Sequence, residues 1–488
     1  MKNVRTKYSN KEQVHNKALK IKGKTQGQLI KELKLNIKGN KNAMGDVFES
    51  WFGKTKDSSS EPDLGVSELK ATPFKALKKS KNGKIQYSAK ERLVLNIINY
   101  MDIVNEDFKD SHFFHKNKVL EIAFYEYSKE FEKNNLFFKY IFMYQMSKSP
   151  VDFKVIQNDW EIIKKYVLDG KADELSERAT NYLAACTKGA NRKSVRNQPY
   201  SSKPAKQRAF SLKSSFMTNI LRNYIIGNKN NDSIIKNPIE LENNSIEDII
   251  SKRFEPYIGK SQKYLMEHFN VKSNAKSKNN ILVRAMLNIN KKDSLSGIDE
   301  FEKASIVPKT IQFNANGINS QNMQLPTFYF EEMVNQNWTS NDGLPEAELN
   351  RYLSESKFLF IIFQTNKNGN NIFKGTKIYS VPTKQLNGTI KKAWEDTKNK
   401  LNKGVHLKYD KKRDRVSNNF IGSKDNMIVH VRPHSNKSSY VDDSNSNKLP
   451  VPAVWTNKPY KYSDDYMTTQ CFFFNNKYIR EIVKDILN

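Results

Sequence analysis

Three segments of this chain occur twice, in the same order, once in each half, and this repetition limits the possible folds more than any other feature. Gly23-Lys24-Thr25-Gln26, followed by Leu29-Ile30, returns as Gly259-Lys260-Ser261-Gln262, followed by Leu265-Met266. Trp160-Glu161 returns as Trp394-Glu395, both in helical surroundings, and the stretch 207–221 with Phe210 and Phe216 returns as 470–483 with Phe472 and Tyr478. Each match is short, but their shared order indicates a duplicated domain. With 488 residues, 37% hydrophobic and 11% aromatic, each copy has enough apolar side chain to close a core.

Within the first copy, apolar spacing predicts helices over 11–35 and 43–52, the second carrying Met44, Val47, Phe48, Trp51 and Phe52. A polar, turn-rich stretch then leads to a strand over 66–71 that ends at Pro73. Further strands are expected over 92–100 and 119–127, and a helix over 160–167. The fold class is mixed α/β: two tandem domains, each a small sheet flanked by helices. Asn, Lys, Asp and Pro dominate around Gly227, which suggests domains at 1–225 and 245–488 joined by a linker at 226–244.

The 82 Lys+Arg outnumber the 52 Asp+Glu, giving a formal charge of +30 spread along the chain. A polyanionic partner follows, nucleic acid first, although a lysine-rich background composition would produce part of the same excess. Cys186 and Cys471 are far apart and in no metal-ligand spacing, so neither a disulfide framework nor a zinc module is indicated. His15, His112, His115, His268, His406, His430 and His434 form no HExxH cluster, which argues against zinc hydrolysis. No apolar h-region follows Met1 and no apolar run is long enough to span a bilayer, so the expected setting is cytoplasmic, without membrane partners.

Chemistry concentrates in Glu61-Pro62-Asp63-Leu64-Gly65-Val66-Ser67-Glu68-Leu69-Lys70-Ala71-Thr72-Pro73. In an extended strand Glu68 and Lys70 project to one side and Leu69 to the other. Asp63, at the strand's approach, can bring a second carboxylate to the same point. Two converging carboxylates are hard oxygen ligands for Mg²⁺, and Lys70 can hold an attacking water and offset phosphoryl charge. The bare Glu-x-Lys pattern is common in so lysine-rich a chain and recurs at Glu32-Leu33-Lys34 and Glu355-Ser356-Lys357, where it reads as a solvated face. The Glu68 copy differs in its upstream Pro-Asp pair, its β-type setting and a preceding helix that offers Glu49. Taken alone, Glu49 reads as a salt-bridge partner and Lys116 as an exposed lysine.

Pro62-Asp63 followed by Gly65 to Lys70 resembles the PD-(D/E)xK nuclease motif, in the form used by the MutH mismatch-repair nickase and related GATC-cutting type II restriction endonucleases. Gly45-Asp46-Val47-Phe48-Glu49-Ser50-Trp51-Phe52-Gly53 and Ser111-His112-Phe113-Phe114-His115-Lys116 are similar to the same family. The resemblance implies restriction-endonuclease-like domains, a Mg²⁺ cofactor held by Asp63 and Glu68, catalytic Glu49, Asp63, Glu68 and Lys70, and an accessory Lys116. It also implies DNA contacts from Lys188, Asn191, Arg208 and Lys213, with Thr187 and Ser211 departing from the nickase pattern.

In the second half, aligning Ile306-Val307-Pro308-Lys309 with Ser67 to Lys70 puts Val307 where Glu68 stands and Lys309 where Lys70 stands. Ala285 falls opposite Glu49. Valine and alanine hold no metal, so the second domain is expected to be catalytically inactive and to bind DNA through Arg432 and His434, regulating the first. This arrangement is similar to that of the larger GATC-specific restriction enzymes. The expected activity is Mg²⁺-dependent hydrolysis of double-stranded DNA at GATC, 5′ of G, with a cognate methyltransferase as genetic partner. With one active site per chain, either two chains meet on DNA or one nicks the strands in succession. The alternatives are a strand-nicking mismatch-repair endonuclease and a non-catalytic basic DNA-binding protein on a decayed nuclease fold.

Overall fold

In the computed structural model, which describes residues 7–37, 42–54, 59–77, 85–128, 132–189, 193–227, 232–272, 278–290, 295–340, 344–425 and 427–487, the stretch 11–35 forms two helices instead of one. α1 (Lys11–Leu19) starts on an Asn10 cap, and α2 (Gln26–Glu32) starts on a capping box between Thr25 and Gln28. Gly23, at φ 83°, turns the chain between them, a conformation that costs glycine little. Periodicity runs through such a break because both helices bury the same side.

α3 (Ala43–Trp51) buries Met44, Val47 and Phe48. The remaining elements of the first half are β1 (Glu68–Ala76), β2 (Tyr87–Ala89), β3 (Leu93–Ile97), α4 (His112–Asn117), β4 (Val119–Glu126), β5 (Phe138–Gln145), α5 (Pro150–Leu168), β6 (Leu183–Thr187), β7 (Val195–Gln198), β8 (Ser201–Lys206), β9 (Arg208–Leu212) and α6 (Ser214–Asn219). The main sheet has the order β2-β1-β4-β5, with β1 parallel to β4 and the outer pairs antiparallel. On one of its faces Leu69, Ala123 and Phe138 pack with Val14, Ala18, Leu29, Val47 and Phe48. A second, antiparallel sheet has the order β3-β9-β6, and β7 and β8 form a hairpin.

β1 runs three residues past Pro73, where the sequence predicts an end. Pro73 presents its carbonyl toward the β2 side, accepting the Lys90 N–H at 3.0 Å, and its missing N–H lies opposite Lys90, one residue past the end of β2. The parallel ladder to β4 is therefore uninterrupted at that residue.

The chain divides into two compact units, Met1–Arg253 with Leu287–Ile306, and Phe254–Met286 with Val307–Asn488. The boundary expected at 226–244 falls inside the first unit. Ile234, Ile235 and Leu241 are buried, and the Glu300 carboxylate accepts the N–H groups of Ile234 and Ile235 at 2.9 Å each. Polar composition disguised this segment, because only Ile234, Ile235 and Leu241 among its described residues are buried while Ile239 stays exposed.

The second unit repeats the first at its repeated segments. Gly259, at φ 80°, donates to Phe373 O at 2.8 Å as Gly23 donates to Phe138 O at 2.8 Å, and Ser261 caps Gln262–His268 as Thr25 caps α2. Strands Ile306–Phe313, Lys357–Thr365 and Asn371–Tyr379 lie in the order of β1, β4 and β5. Strands Met323–Phe328, Gln470–Phe474 and Val429–Pro433 lie in the order of β3, β9 and β6. Among the described residues no helix is long and apolar enough to cross a membrane.

Candidate active site

Asp63 reaches the start of β1 because the turn before it is fastened at both ends. Leu64 is fully buried, Gly65 at φ 74° returns its N–H to Pro62 O at 3.0 Å, and Leu64 N donates to Ser67 O at 3.1 Å. Asp63 then makes a reciprocal pair of contacts with the strand: its own N–H donates to Glu68 Oε2 at 3.1 Å, and its Oδ2 accepts the Leu69 N–H at 3.1 Å. Lys70 Nζ donates to Glu68 Oε1 at 2.8 Å, the contact expected of i and i+2 side chains on one strand face.

Two further lysines close the site. Lys54, which the sequence reading passed over, is buried with its Nζ 3.6 Å from Asp63 Oδ1. The signal was its place directly after Gly53, whose φ of 78° ends α3 and turns the chain toward the Asp63 loop. Lys116, at the end of α4, lies 3.6 Å from Glu68 Oε2 and donates to Ser59 O at 2.8 Å and Glu61 O at 3.1 Å. His115 Nε2 meets Glu61 Oε2 at 2.7 Å and His112 Nε2 meets Ser60 O at 2.9 Å, so α4 clasps the loop that carries Asp63. A Lys116→Met variant is expected to keep its fold and lose roughly ten- to a hundredfold in cleavage rate, the usual effect of removing a group that orients ligands. A rate equal to the unsubstituted chain's in a single-turnover assay would remove Lys116 from the site.

The crowding of carboxylates is visible in their acidities. Burial and the neighbouring Glu68 charge raise the Asp63 pKa, against lowering by Lys70, the Leu69 N–H and Lys54. Burial first, then Asp63, push Glu49 up to about 7. Since that value lies above the ordinary one, Glu49 contributes stability at acid pH that is lost as pH rises from about 4.5 through about 7. Glu121, buried against His15 at 2.8 Å, is also raised to about 7, mainly by burial, and acts in the same direction. The thermal midpoint of the metal-free chain is expected to fall across this window, and Glu49→Gln to flatten part of the fall. An unchanged slope in the variant would show that Glu49 does not sense the site.

Asp63 and Glu68 converge between lysine ammonium groups, whose place beside the carboxylate oxygens a hard cation can take. Asp63 and Glu68 offer oxygen donors only, and among the described residues no group of three or more His, Cys, Asp or Glu surrounds a common point. The donor set fits a divalent cation that keeps much of its water, and not a nitrogen- or sulfur-ligated metal. The other two Glu-x-Lys copies lie at helix ends, Glu32 closing α2 in an ion pair with Lys24 and Glu355 closing helix Glu348–Glu355.

The residues expected to touch DNA separate into two groups. Lys188 is exposed beyond β6, and Arg432 and His434 are exposed at the end of the equivalent strand Val429–Pro433. The Arg432 guanidinium lies over the Phe473 ring at 5.4 Å, and His434 Nε2 is 2.9 Å from Gln324 Nε2. Arg208 and Lys213 are buried instead. Arg208 donates to Ala185 O at 2.7 Å and to Leu175 O, and Lys213 donates to Thr180 O at 2.6 Å. Lys213 also offsets the buried Asp159 carboxylate, which accepts the N–H groups of Asn181, Tyr182 and Leu183. Both side chains brace β6 and β9, and backbone carbonyls take up their donors. Asn191 lies outside the described residues. The β7–β8 hairpin, unnoticed in the sequence, presents Arg196, Lys203 and Lys206 to solvent beside Lys188, and Pro199-Tyr200 at its turn was the signal.

Comparison with known proteins agrees with this geometry. The family described as DNA mismatch repair enzyme MutH matches residues 52–159, a stretch that contains Asp63, Glu68, Lys70 and Lys116. The type II restriction enzyme Sau3AI of Staphylococcus aureus is 47% identical over 497 residues, covering 98% of this chain and 99% of that protein. Similarity at that level over both units, together with a carboxylate pair and lysine at the head of β1, places the chain in the family of type II restriction enzymes built on a MutH-type nuclease domain.

Proposed function

We propose that the chain is a Mg²⁺-dependent deoxyribonuclease that cuts both strands of duplex DNA at GATC, 5′ of the G. The observation that carries the reading is the convergence of Asp63 and Glu68 beside Lys70 at the head of β1. Asp63 and Glu68 would hold the cation, which would supply Lewis acidity at the scissile phosphate and a more acidic attacking water. Lys70, anchored on Glu68, orients that water and offsets charge growing on the phosphoryl oxygens. Glu49, pushed up to about 7, takes up a proton from the site at neutral pH, and Lys54, 3.6 Å from Asp63, offsets part of that carboxylate's charge. Lys116 and α4 hold the Asp63 loop at the strand.

The GATC assignment rests on the likeness to the GATC-cutting family and on the chain-long similarity to Sau3AI. The second unit, with Val307 and Ala285 in place of carboxylates, binds DNA through Arg432 and His434 and regulates the first. Two chains meet on the palindrome, or one chain nicks the strands in turn, and a cognate methyltransferase protects the host's own sites. Incubating the purified chain with unmethylated plasmid and Mg²⁺ and sequencing the ends tests this directly. Ends at GATC support the reading, and ends scattered over other sequences reject the specificity.

A further inference from the structure

We propose that the degenerate centre of the second unit is a metal-free seat for one backbone phosphate of duplex DNA, with the Lys309 ammonium as its anion ligand. The inference rests on the reading that this protein binds DNA and adds a site to it.

Lys309 stands on strand Ile306–Phe313, the counterpart of β1, two residues after Val307 as Lys70 stands two residues after Glu68. The strand is set against helix Lys278–Met286, the counterpart of α3, by a Thr310 Oγ1 to Asn280 Oδ1 hydrogen bond of 2.8 Å. On the face that Lys309 shares, Val307 packs on the unit's apolar core and Ile311 belongs to it. Lys309 itself is half-buried and, among the described residues, has neither an ion pair nor a hydrogen-bond acceptor. Burial alone acts on it, pulling its pKa down.

The acids at the positions matching those of the first centre have been removed or engaged elsewhere. Val307 replaces Glu68 and the buried Ala285 replaces Glu49. Glu302, five residues before Val307 as Asp63 is five before Glu68, is bound through Oε1 by Arg222 at 2.7 Å and through Oε2 by Asn219 at 2.9 Å.

The sign of the centre is thereby inverted. In the first unit a phosphate meets carboxylates and needs a cation between. In the second it meets one unneutralised ammonium. A half-buried charge with no partner is unfavourable, and a phosphodiester oxygen supplies the missing partner in a setting where the attraction is weakly screened.

The test is duplex binding by the full chain in EDTA, where no strand is cut, followed by fluorescence anisotropy as salt is raised. Lys309→Met is expected to weaken binding roughly tenfold and to reduce the log–log salt slope by about one, the signature of one lost phosphate contact. Its thermal midpoint should match or exceed that of the unsubstituted chain, and Lys309→Arg should restore most of the affinity. If the Met variant does not fold, Lys309→Gln is read in its place. Equal affinity and slope in a folded variant overturns the seat. Binding by the unsubstituted chain only when Ca²⁺ is added also overturns the seat while leaving the DNA-binding reading intact. No binding under either condition overturns both.

Discussion

Replacing Glu68 by alanine is expected to abolish DNA cleavage, by roughly a thousandfold or more, while the folded chain still binds duplex DNA. Glu68 is almost wholly buried and touches three parts of the site: it accepts from Lys70, accepts the Asp63 N–H, and faces Lys116 at 3.6 Å. On the proposed reading its removal takes away one of two oxygen ligands, and it frees Lys70 from its carboxylate partner while Lys116 keeps the Ser59 and Glu61 carbonyls. The orientation of Lys70 is lost with it, so Lys70→Ala should fall in the same range, and the double variant should be little worse than either single one. Plasmid digestion with Mg²⁺, beside a metal-free binding assay, measures both quantities. Cleavage within tenfold of the unsubstituted chain's would place the active centre elsewhere, and loss of DNA binding in step with cleavage would make Glu68 a folding residue.

The second large effect is on stability, at a residue far along the chain from the catalytic segment. Lys303 is buried, with its Nζ 2.8 Å from Asp152 Oδ1, 3.1 Å from Asp152 Oδ2 and 2.6 Å from Asp299 Oδ2. Asp152 is itself buried in the first turn of α5. Removing one partner of such a pair leaves the other charged and desolvated, so Lys303→Met should cost the first unit about 3–5 kcal/mol. Replacing Asp152 by Asn in the same chain should recover much of that loss. Ending the chain near residue 245 should be at least as damaging, because it removes Lys303 and also the Glu300 carboxylate that satisfies Ile234 and Ile235. Denaturant unfolding of the variants checks the cost. A truncated nuclease with undiminished stability would mean that Leu287–Ile306 is no part of the first unit.

Composition drew a linker at 226–244 because Asn, Lys and Asp are frequent there, yet Leu241 and Glu240 hold it in place, the latter paired with Arg253 at 2.7 Å. Local sequence cannot report a partner more than 60 residues away. The same limit explains Arg208 and Lys213. Both are basic residues in a stretch similar to DNA-reading segments, and only the carbonyls of Ala185, Leu175 and Thr180 reveal that they are turned inward.

By itself the sequence determined the duplication, the mixed α/β class and the convergence of Asp63, Glu68 and Lys70 within 61–70. Those features are carried by neighbouring residues: strand alternation puts Glu68 and Lys70 on one face whatever surrounds them, and the Gly23 and Gly259 turns repeat because both copies need the same left-handed residue. Tertiary structure alone decided which charges reach solvent and which are consumed inside. It brought Lys54 to Asp63 and Lys116 to Glu68, sent Lys213 to Asp159, and returned 287–306 to the first unit. A charged side chain looks the same in sequence whether water or a carboxylate neutralises it. The energy that separates the two is set by burial and by partners distant in the chain.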